Sequence, residues 1–146
     1  MLPEYERVLI ATDGSEGADA ALHKAVAIAK RNHAELFILH VVDTRLFQST
    51  SDPDVRYREA MRKIGDRVLA EAKEFAVSQG LTEVTTLMEV GTPKLLIADD
   101  IPKREEIDLI VMGAKGMGAL ERFFVGSVSE NVVRYSKSDV LIVRKE

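Results

Sequence analysis

Residues 107–129 read IDLIVMGAKGMGALERFFVGSVS, so that a short apolar run leads directly into a segment with four glycines. A continuous apolar run of this length, closed by glycine, is typical of a strand that is buried on both faces of a sheet. Gly116 and Gly118 have no Cβ, and they can therefore adopt positive φ and let another molecule approach the backbone closely. The stretch predicts a core strand over residues 107–112, followed by a loop shaped for a ligand.

Four other runs have the apolar, β-branched character of buried strands, at residues 7–11, 34–42, 84–90 and 140–143. The run at 84–90 alternates between apolar and polar residues, which indicates a half-exposed strand. Segments with apolar residues at helical spacing separate the five strands. The order β-α-β-α-β-α-β-α-β predicts an α/β fold in which helices cover both faces of an open parallel sheet. Residues 1–146 contain no internal repeat or linker, so we expect one three-layer domain.

Glycine and proline mark several expected helix boundaries. Gly80 follows a long amphipathic helix as its C′ residue, and Thr92 with Pro93 opens the next helix as N-cap and first helical residue. Pro102 lacks an amide proton and clashes with the preceding helical turn. We therefore expect this helix to end or kink near Ile101.

The overall composition restricts the kinds of partner. A net charge of −4 argues against a broad basic surface for nucleic acid, and the lack of cysteine excludes disulfides and thiolate catalysis. The opening MLPEYERVLI lacks the basic and apolar regions of a signal peptide. No apolar run approaches the roughly 20 residues that a membrane-spanning helix requires. We expect a cytoplasmic protein that contacts neither nucleic acid nor membrane.

Open α/β sheets bind ligands beyond the carboxyl ends of their strands, at the point where the strand order reverses. The four loops expected at that edge are residues 12–15 (TDGS), the stretch after Val41, residues 91–92 (GT) and the glycine loop. Three of these four loops are rich in glycine, hydroxyl or carboxylate groups. This edge is therefore the predicted ligand site.

The end of the glycine loop favours phosphate. Gly126 precedes a helix in which Ser127 and Glu130 have the spacing of a capping box, and a helix N-terminus offers unpaired amides to an anion. The Ser127 hydroxyl could accept an amide hydrogen bond while donating its own proton to a phosphate. The alternative is that these residues only begin a helix. The loop contains two basic side chains and one acidic side chain, so its net charge is only +1. Backbone dipoles and a metal ion would therefore have to offset much of the charge of a polyphosphate.

Asp13 ends the first strand on the same rim. A carboxylate repels phosphate unless it faces the ribose hydroxyls or holds a divalent cation with its waters. The alternative is that Asp13 caps the first helix, with Glu16 completing a capping box.

No side-chain pattern in the chain indicates catalysis. The P-loop motif is absent, and the glycine loop lacks the third glycine of a dinucleotide fingerprint. Among the three histidines, His40 ends a buried strand, and we expect it to be a hydrogen-bonded core or rim residue. We therefore predict no catalytic residue and no side-chain metal site.

The glycine loop also matches a known family. Gly113, Gly116, Gly126 and Ser127 form the pattern G-x2-G-x9-G-[ST], which resembles the nucleotide-binding loop of universal stress proteins, in the subgroup that binds ATP. The segments ATDGS after the first strand, LHVVD at the end of the second and GTP after the third occur in the same order as in that family. The resemblance spans nearly the whole chain.

The resemblance implies a five-stranded parallel sheet of order 3-2-1-4-5, with a Rossmann-like adenine-nucleotide site. The main chain of Val41 would bind the adenine, beside an apolar wall that contains Ala11 and Met112. Asp13 and Gly113 would lie at the ribose. The other implied site residues lie on the same rim or beside the phosphates, with magnesium: Thr12, Gly116, Gly126, Ser127, Val128 and Ser129.

The resemblance further implies an ATP-binding stress sensor with little intrinsic hydrolysis, and a homodimer joined through the last strand, residues 140–144. The sequence gives a separate reason to expect the dimer: no later element covers the edge of that strand, and an uncovered strand edge favours pairing with another strand. The alternatives are a slow ATPase or ATP-using transferase, an AMP or cyclic-nucleotide binder, and an interaction module that has lost its nucleotide.

Overall fold

The computed structural model describes residues 3–43, 55–114 and 126–144. Its five strands form one parallel sheet in the order β3-β2-β1-β4-β5, with helices on both faces, which confirms the predicted architecture and strand order. The strands are β1 (Arg7–Ala11), β2 (Glu35–Asp43), β3 (Val84–Gly91), β4 (Leu109–Gly113) and β5 (Asp139–Val143). The helices are α1 (Glu16–Asn32), α2 (Val55–Ser78), α3 (Pro93–Leu95), α4 (Ile101–Arg104) and α5 (Ser127–Tyr135), with a π-helical turn (Leu96–Asp100) between α3 and α4.

Alternation along the strands divides the core into two layers. On the α1/α2 face, Val8 and Ile10 of β1 are fully buried against α1 and α2. On the α5 face, Leu9 of β1 and Ile110 of β4 are buried beneath α5 and the helical segments around the π-helical turn. The inner strands bury side chains on both faces, and this explains why their sequences are continuously apolar.

The expected ends of two helices are confirmed. The helix α2 is followed by Gly80, whose φ of +99° is the left-handed conformation that glycine adopts without steric cost. Thr92 is the extended N-cap of α3 and Pro93 its first residue, although the Thr92 side chain makes no capping hydrogen bond.

Of the two outcomes expected near Ile101, a helix end or a kink, the end is wrong, but the helix is irregular directly before this residue. Helical backbone continues through Pro102 to Arg104, and the irregularity lies one turn earlier, where the Ile101 amide donates to the Leu96 carbonyl in a π-helical bond. Proline cannot donate to the preceding turn, and a wider turn before it accommodates the ring while the helix continues. Pro102 stands in the first turn of α4, where a missing amide proton is tolerated.

The two edges of the sheet are partly exposed. The strand β3 is half-buried along most of its length, as its alternation predicts, and Val90 is exposed. At the other edge, Val140, Leu141 and Ile142 of β5 are each half-buried. Within the described ranges, the structure has no helix that is both long enough and apolar enough to cross a membrane.

Candidate functional site

The predicted site lies at the point where the strand order reverses, because β1 has β2 on one side and β4 on the other. The register pairs Ala11 with Leu39, so that Asp13 is level with Val41 two residues further along. The strand β4 pairs with the opposite side of β1 and ends at Gly113. The loops after three strands therefore meet at one edge, as expected for a ligand site in an open α/β sheet.

Four of the predicted site residues form an apolar wall on the α5 face. Met112 of β4 is buried, and Ala11 of β1 and Val41 of β2 pack against the same cluster. Val128, from the first turn of α5, packs against this cluster as well. Residues from four different elements are thus brought together at the carboxyl edge of the sheet.

The turn after β1 is fixed by its own side chains. The Thr12 hydroxyl accepts a hydrogen bond from the Gly14 amide at 3.2 Å, and the Asp13 carboxylate accepts one from the Ser15 amide at 2.9 Å. The N-cap of α1 is Ser15, whose hydroxyl accepts from the Ala18 amide at 3.2 Å. The alternative in which Asp13 caps α1 is therefore wrong, and Asp13 instead closes an Asx turn at the rim.

The hydrogen-bond ladder between β1 and β2 stops before Val41. Alternate residues of a strand direct their N–H and C=O groups toward the same neighbour, and Leu39 faces β1 because its carbonyl accepts the Thr12 amide at 2.9 Å. Val41 therefore faces the β1 side too. Its next partners in register would be the Thr12 carbonyl and the Gly14 amide. However, the Thr12 carbonyl accepts a hydrogen bond from His40 Nδ1 at 3.0 Å, and the Gly14 amide donates to the Thr12 hydroxyl. Among the described residues, no backbone group on this side pairs with Val41.

His40 is a hydrogen-bonded residue at the rim of the site, as the sequence predicts. Its side chain is buried, and because a carbonyl only accepts, the Nδ1 atom must carry the proton of this hydrogen bond. Gly65 of α2 lies directly over the ring, since a Cβ at Gly65 would stand 2.7 Å from His40 Cδ2. Reasoning from the sequence missed Gly65, although a single glycine inside an amphipathic helix is a signal of close packing.

The exit from β4 is anchored at both ends of the glycine loop. The Ala114 amide donates to the Val143 carbonyl at 3.0 Å, and the Ala114 carbonyl accepts the Gly126 amide at 2.7 Å. The predicted loop glycines Gly116 and Gly118 lie outside the described residues. The described part of the loop is thus its stem, and this stem is hydrogen-bonded to β5.

Gly113 has a packing role that the sequence did not reveal. A Cβ at Gly113 would lie 3.0 Å from the carbonyl oxygen of Gly17 and 3.1 Å from its carbonyl carbon, both in the backbone of α1. Few real Cβ atoms approach a neighbour so closely, and a helix backbone cannot rotate away as a side chain can. Gly113 therefore allows the end of β4 to lie against the first turn of α1.

The start of α5 differs from the expected capping box. Gly126 is the N-cap, with extended backbone, and Ser127 is the first helical residue, with an exposed side chain. Because Gly126 has no side chain, nothing on the N-cap residue satisfies the first amides of the helix. No described carbonyl accepts the amides of Ser127, Val128 or Ser129.

Ser129 lies one turn into α5 and is buried, with 4% of its surface exposed. Its hydroxyl donates to the Gly113 carbonyl at 2.8 Å, which ties the helix to the end of β4. A hydrogen bond from the Ser129 hydroxyl to a phosphate stays a prediction, and to form it the hydroxyl would have to release the Gly113 carbonyl.

Metal binding by side chains alone is not supported in the described part of the chain. No group of three or more His, Asp or Glu side chains there could hold a metal ion. A magnesium ion at this edge would therefore be coordinated mainly by phosphate oxygens and water, with the Asp13 carboxylate nearby. This coordination is usual for magnesium at nucleotides.

The sheet order and this edge define a three-layer α/β protein of the Rossmann-like class. The model of the universal stress protein family matches residues 4–144, and the chain therefore belongs to that family.

Individual relatives agree with this assignment. The Staphylococcus haemolyticus protein SH1215, named for the same family, is 42% identical over 142 residues, which cover 97% of this chain and 86% of that protein. The structure of MJ0577 is similar with a TM-score of 0.88 and 28% identity, covering 99% of each chain. A universal stress protein in complex with cAMP is similar with a TM-score of 0.71 and 30% identity, covering 97% of this chain and 98% of the other.

Proposed function

We propose that this chain binds ATP, or another adenine nucleotide, at the carboxyl edge of β1, β2 and β4. One observation carries the proposal: Ala11, Val41, Met112 and Val128 come from four elements into one apolar wall, beside the uncapped start of α5. An apolar wall next to amides that no described carbonyl accepts suits a ligand that joins a flat aromatic base to phosphate.

The base would be recognised by the main chain of Val41. Adenine presents an acceptor nitrogen beside an amino donor, and the open N–H and C=O groups of Val41 are their complements. Asp13, level with Val41, would accept hydrogen bonds from the ribose hydroxyls. Thr12 and Gly113 complete this part of the rim.

The phosphates would lie at the start of α5. The amides of Ser127, Val128 and Ser129, with Gly126 leaving the approach open, form the anion site, and the helix dipole favours the negative charge. Gly116 would contact the phosphates from outside the described residues. Magnesium would be held by phosphate oxygens and water, near the Asp13 carboxylate.

We further propose a cytoplasmic stress sensor with little hydrolysis of its own. Hydrolysis of ATP requires a group that positions a water at the terminal phosphate and cations that stabilise the charge. Two described side chains at this edge already have other partners: the His40 ring is hydrogen-bonded to the Thr12 carbonyl, and the Asp13 carboxylate accepts the Ser15 amide and closes the turn at the rim. A sensor whose nucleotide stays intact fits this arrangement better than an enzyme does.

The second candidate is a cyclic-nucleotide binder, favoured by the relative that was solved in complex with cAMP. Cyclic AMP has the same base and a single phosphate, so it would use Val41 in the same way. It would make fewer contacts with the start of α5.

Isothermal titration of the purified protein with ATP–Mg, AMP and cAMP tests the proposal. We expect Asp13→Ala and Gly126→Val to abolish binding. Asp13→Asn keeps an acceptor for the Ser15 amide but removes the charge, and we expect it to weaken binding about tenfold or more. Asp66→Asn, at an exposed position on α2, is the matched control. Undiminished ATP binding by Gly126→Val would refute the phosphate assignment, and cAMP binding that exceeds ATP binding would favour the second candidate.

The enzyme alternative is tested separately. Phosphate release at several turnovers per minute, lost in Ser127→Ala while ATP binding persists, would assign a slow ATPase to this edge. Release below that rate supports a sensor.

We also propose that two copies pair through β5. The strand lies at an edge of the sheet, and three of its apolar side chains are only half-buried in the single chain. An antiparallel pairing of two β5 strands would satisfy the bare edge in a closed, symmetric dimer.

A further inference from the structure

We infer that His40 is a positioning residue that ends the β1–β2 hydrogen-bond ladder and thereby leaves the Val41 main chain open for a ligand. The inference deepens the proposed function, because it explains how the adenine-facing groups of the site become available.

The argument begins with the ladder itself. In a regular parallel pair, the Val41 amide would donate to the Thr12 carbonyl, the step that follows the bond from the Thr12 amide to Leu39. That carbonyl instead accepts from His40 Nδ1 at 3.0 Å. With the Thr12 carbonyl engaged by the imidazole, no described carbonyl on the β1 side accepts the Val41 amide.

The second partner of Val41 is diverted by a matching interaction. The Gly14 amide would donate to the Val41 carbonyl, but it donates to the Thr12 hydroxyl at 3.2 Å. Backbone groups without a partner are rare inside proteins, and where they occur at an edge they are available to water or a ligand. Two side-chain interactions thus expose one donor and one acceptor on the same residue.

The position of the imidazole is fixed by close packing. His40 has 8% of its surface exposed, and Gly65 and Met88 lie against it from the α2 side. A Cβ at Gly65 would stand 2.7 Å from both His40 Cδ2 and Met88 Cε. The absence of a side chain at Gly65 therefore lets α2 pack directly against the imidazole that holds the Thr12 carbonyl.

Two substitutions separate the hydrogen bond from the volume of the ring. The side-chain amide of His40→Asn can place a donor where Nδ1 stands, whereas His40→Leu fills the space and donates nothing. His33→Asn is the matched control, since His33 is exposed and its left-handed conformation is one that asparagine tolerates.

The readouts are hydrogen exchange of the Val41 amide in the ligand-free protein and the affinity for ATP–Mg. In His40→Leu the Thr12 carbonyl is released to Val41, and we expect exchange at Val41 to slow by about tenfold or more while ATP binding weakens by a similar factor. His40→Asn and His33→Asn are expected to stay within about threefold of the natural protein in both measurements.

Unchanged Val41 exchange in a folded His40→Leu protein would overturn the inference, and so would ATP affinity unchanged in that variant. The natural protein offers a test that needs no substitution: the nitrogen NMR spectrum of the His40 ring must show a protonated Nδ1, and a bare Nδ1 would refute the reading. If the natural protein binds no adenine nucleotide, the proposed function fails, and the exchange data alone still decide the role of His40.

Discussion

Substitution of Gly113 by alanine measures how tightly β4 is seated against α1. The added Cβ would lie 3.0 Å and 3.1 Å from backbone atoms of Gly17, which cannot move without disturbing the first turn of α1. Overpacking of this kind costs about 1–3 kcal/mol. Since φ at Gly113 is not positive, alanine also restricts the unfolded chain, which offsets about 0.4–1 kcal/mol. The expected net loss of stability is therefore between about 0 and 2.6 kcal/mol.

The assay is thermal unfolding followed by circular dichroism. For 146 residues the unfolding entropy is about 0.3 kcal/mol per kelvin, so the expected fall in Tm is up to about 9 °C. Gly91→Ala is the matched control, because its Cβ would meet Leu96 Cδ1 at 3.1 Å, the end of a half-buried side chain that can rotate. We expect that variant to be neutral or stabilised by up to about 1 kcal/mol. A Tm for Gly113→Ala at or above that of Gly91→Ala would refute the reasoning.

Three other predictions follow from the described contacts. Ile10→Ala, at a fully buried position, should lower the free energy of unfolding in urea by about 2–5 kcal/mol, whereas Ile64→Ala, at a residue that is 52% exposed, should lower it by under about 1 kcal/mol. Equal losses would contradict the assigned core. The hydrogen bond from Tyr5 to the Asp139 carboxylate raises the pKa of Tyr5, so its stabilising contribution is complete below the unfolded pKa of about 10 and is lost as pH rises through the higher folded value. Tyr5→Phe should therefore flatten the loss of Tm above about pH 10, and an unchanged profile would show that this bond does not form in solution. Val140→Lys on β5 should convert the proposed dimer to a monomer in sedimentation equilibrium, while Val77→Lys at the exposed end of α2 should leave the dimer intact. If the natural protein is monomeric at all concentrations, pairing through β5 is refuted.

The features that could be predicted from the sequence are those that depend on one helix or strand alone. The inner strands bury both faces, so their apolar runs mark them, and Gly80 marks a helix end through its own backbone conformation. Pro102 illustrates the limit. The sequence shows that proline disturbs a helix, but whether the helix ends or widens into a π-helical turn depends on packing across the α5 face.

The parts of the candidate site that were not predictable depend on contacts between distant elements. Gly113 and Gly17 are separated by about two thirds of the 146-residue chain, and only the fold brings them together. The capping box at Ser127 was wrong because the bond from Gly126 to Ala114 sets the start of α5, so that Gly126 becomes the N-cap. Pattern alone cannot place a helix start that is fixed by a contact with another element.

The carboxyl edge shows how side chains decide which backbone groups remain for a ligand. The His40 ring takes the Thr12 carbonyl, the Thr12 hydroxyl takes the Gly14 amide, and the Ser129 hydroxyl takes the Gly113 carbonyl. Each of these interactions satisfies a group that would otherwise pair across the sheet or face the ligand. Among the described residues, the groups left without a backbone partner are the Val41 main chain on its β1 side and the first amides of α5, a donor–acceptor pair at one end and a set of amide donors at the other. A backbone donor and acceptor recognise a base through the hydrogen-bonding pattern of its edge, without a charged side chain. Selectivity for adenine at this edge would therefore depend on His40 and Thr12, which end the β1–β2 ladder, as much as on the residues that touch the base.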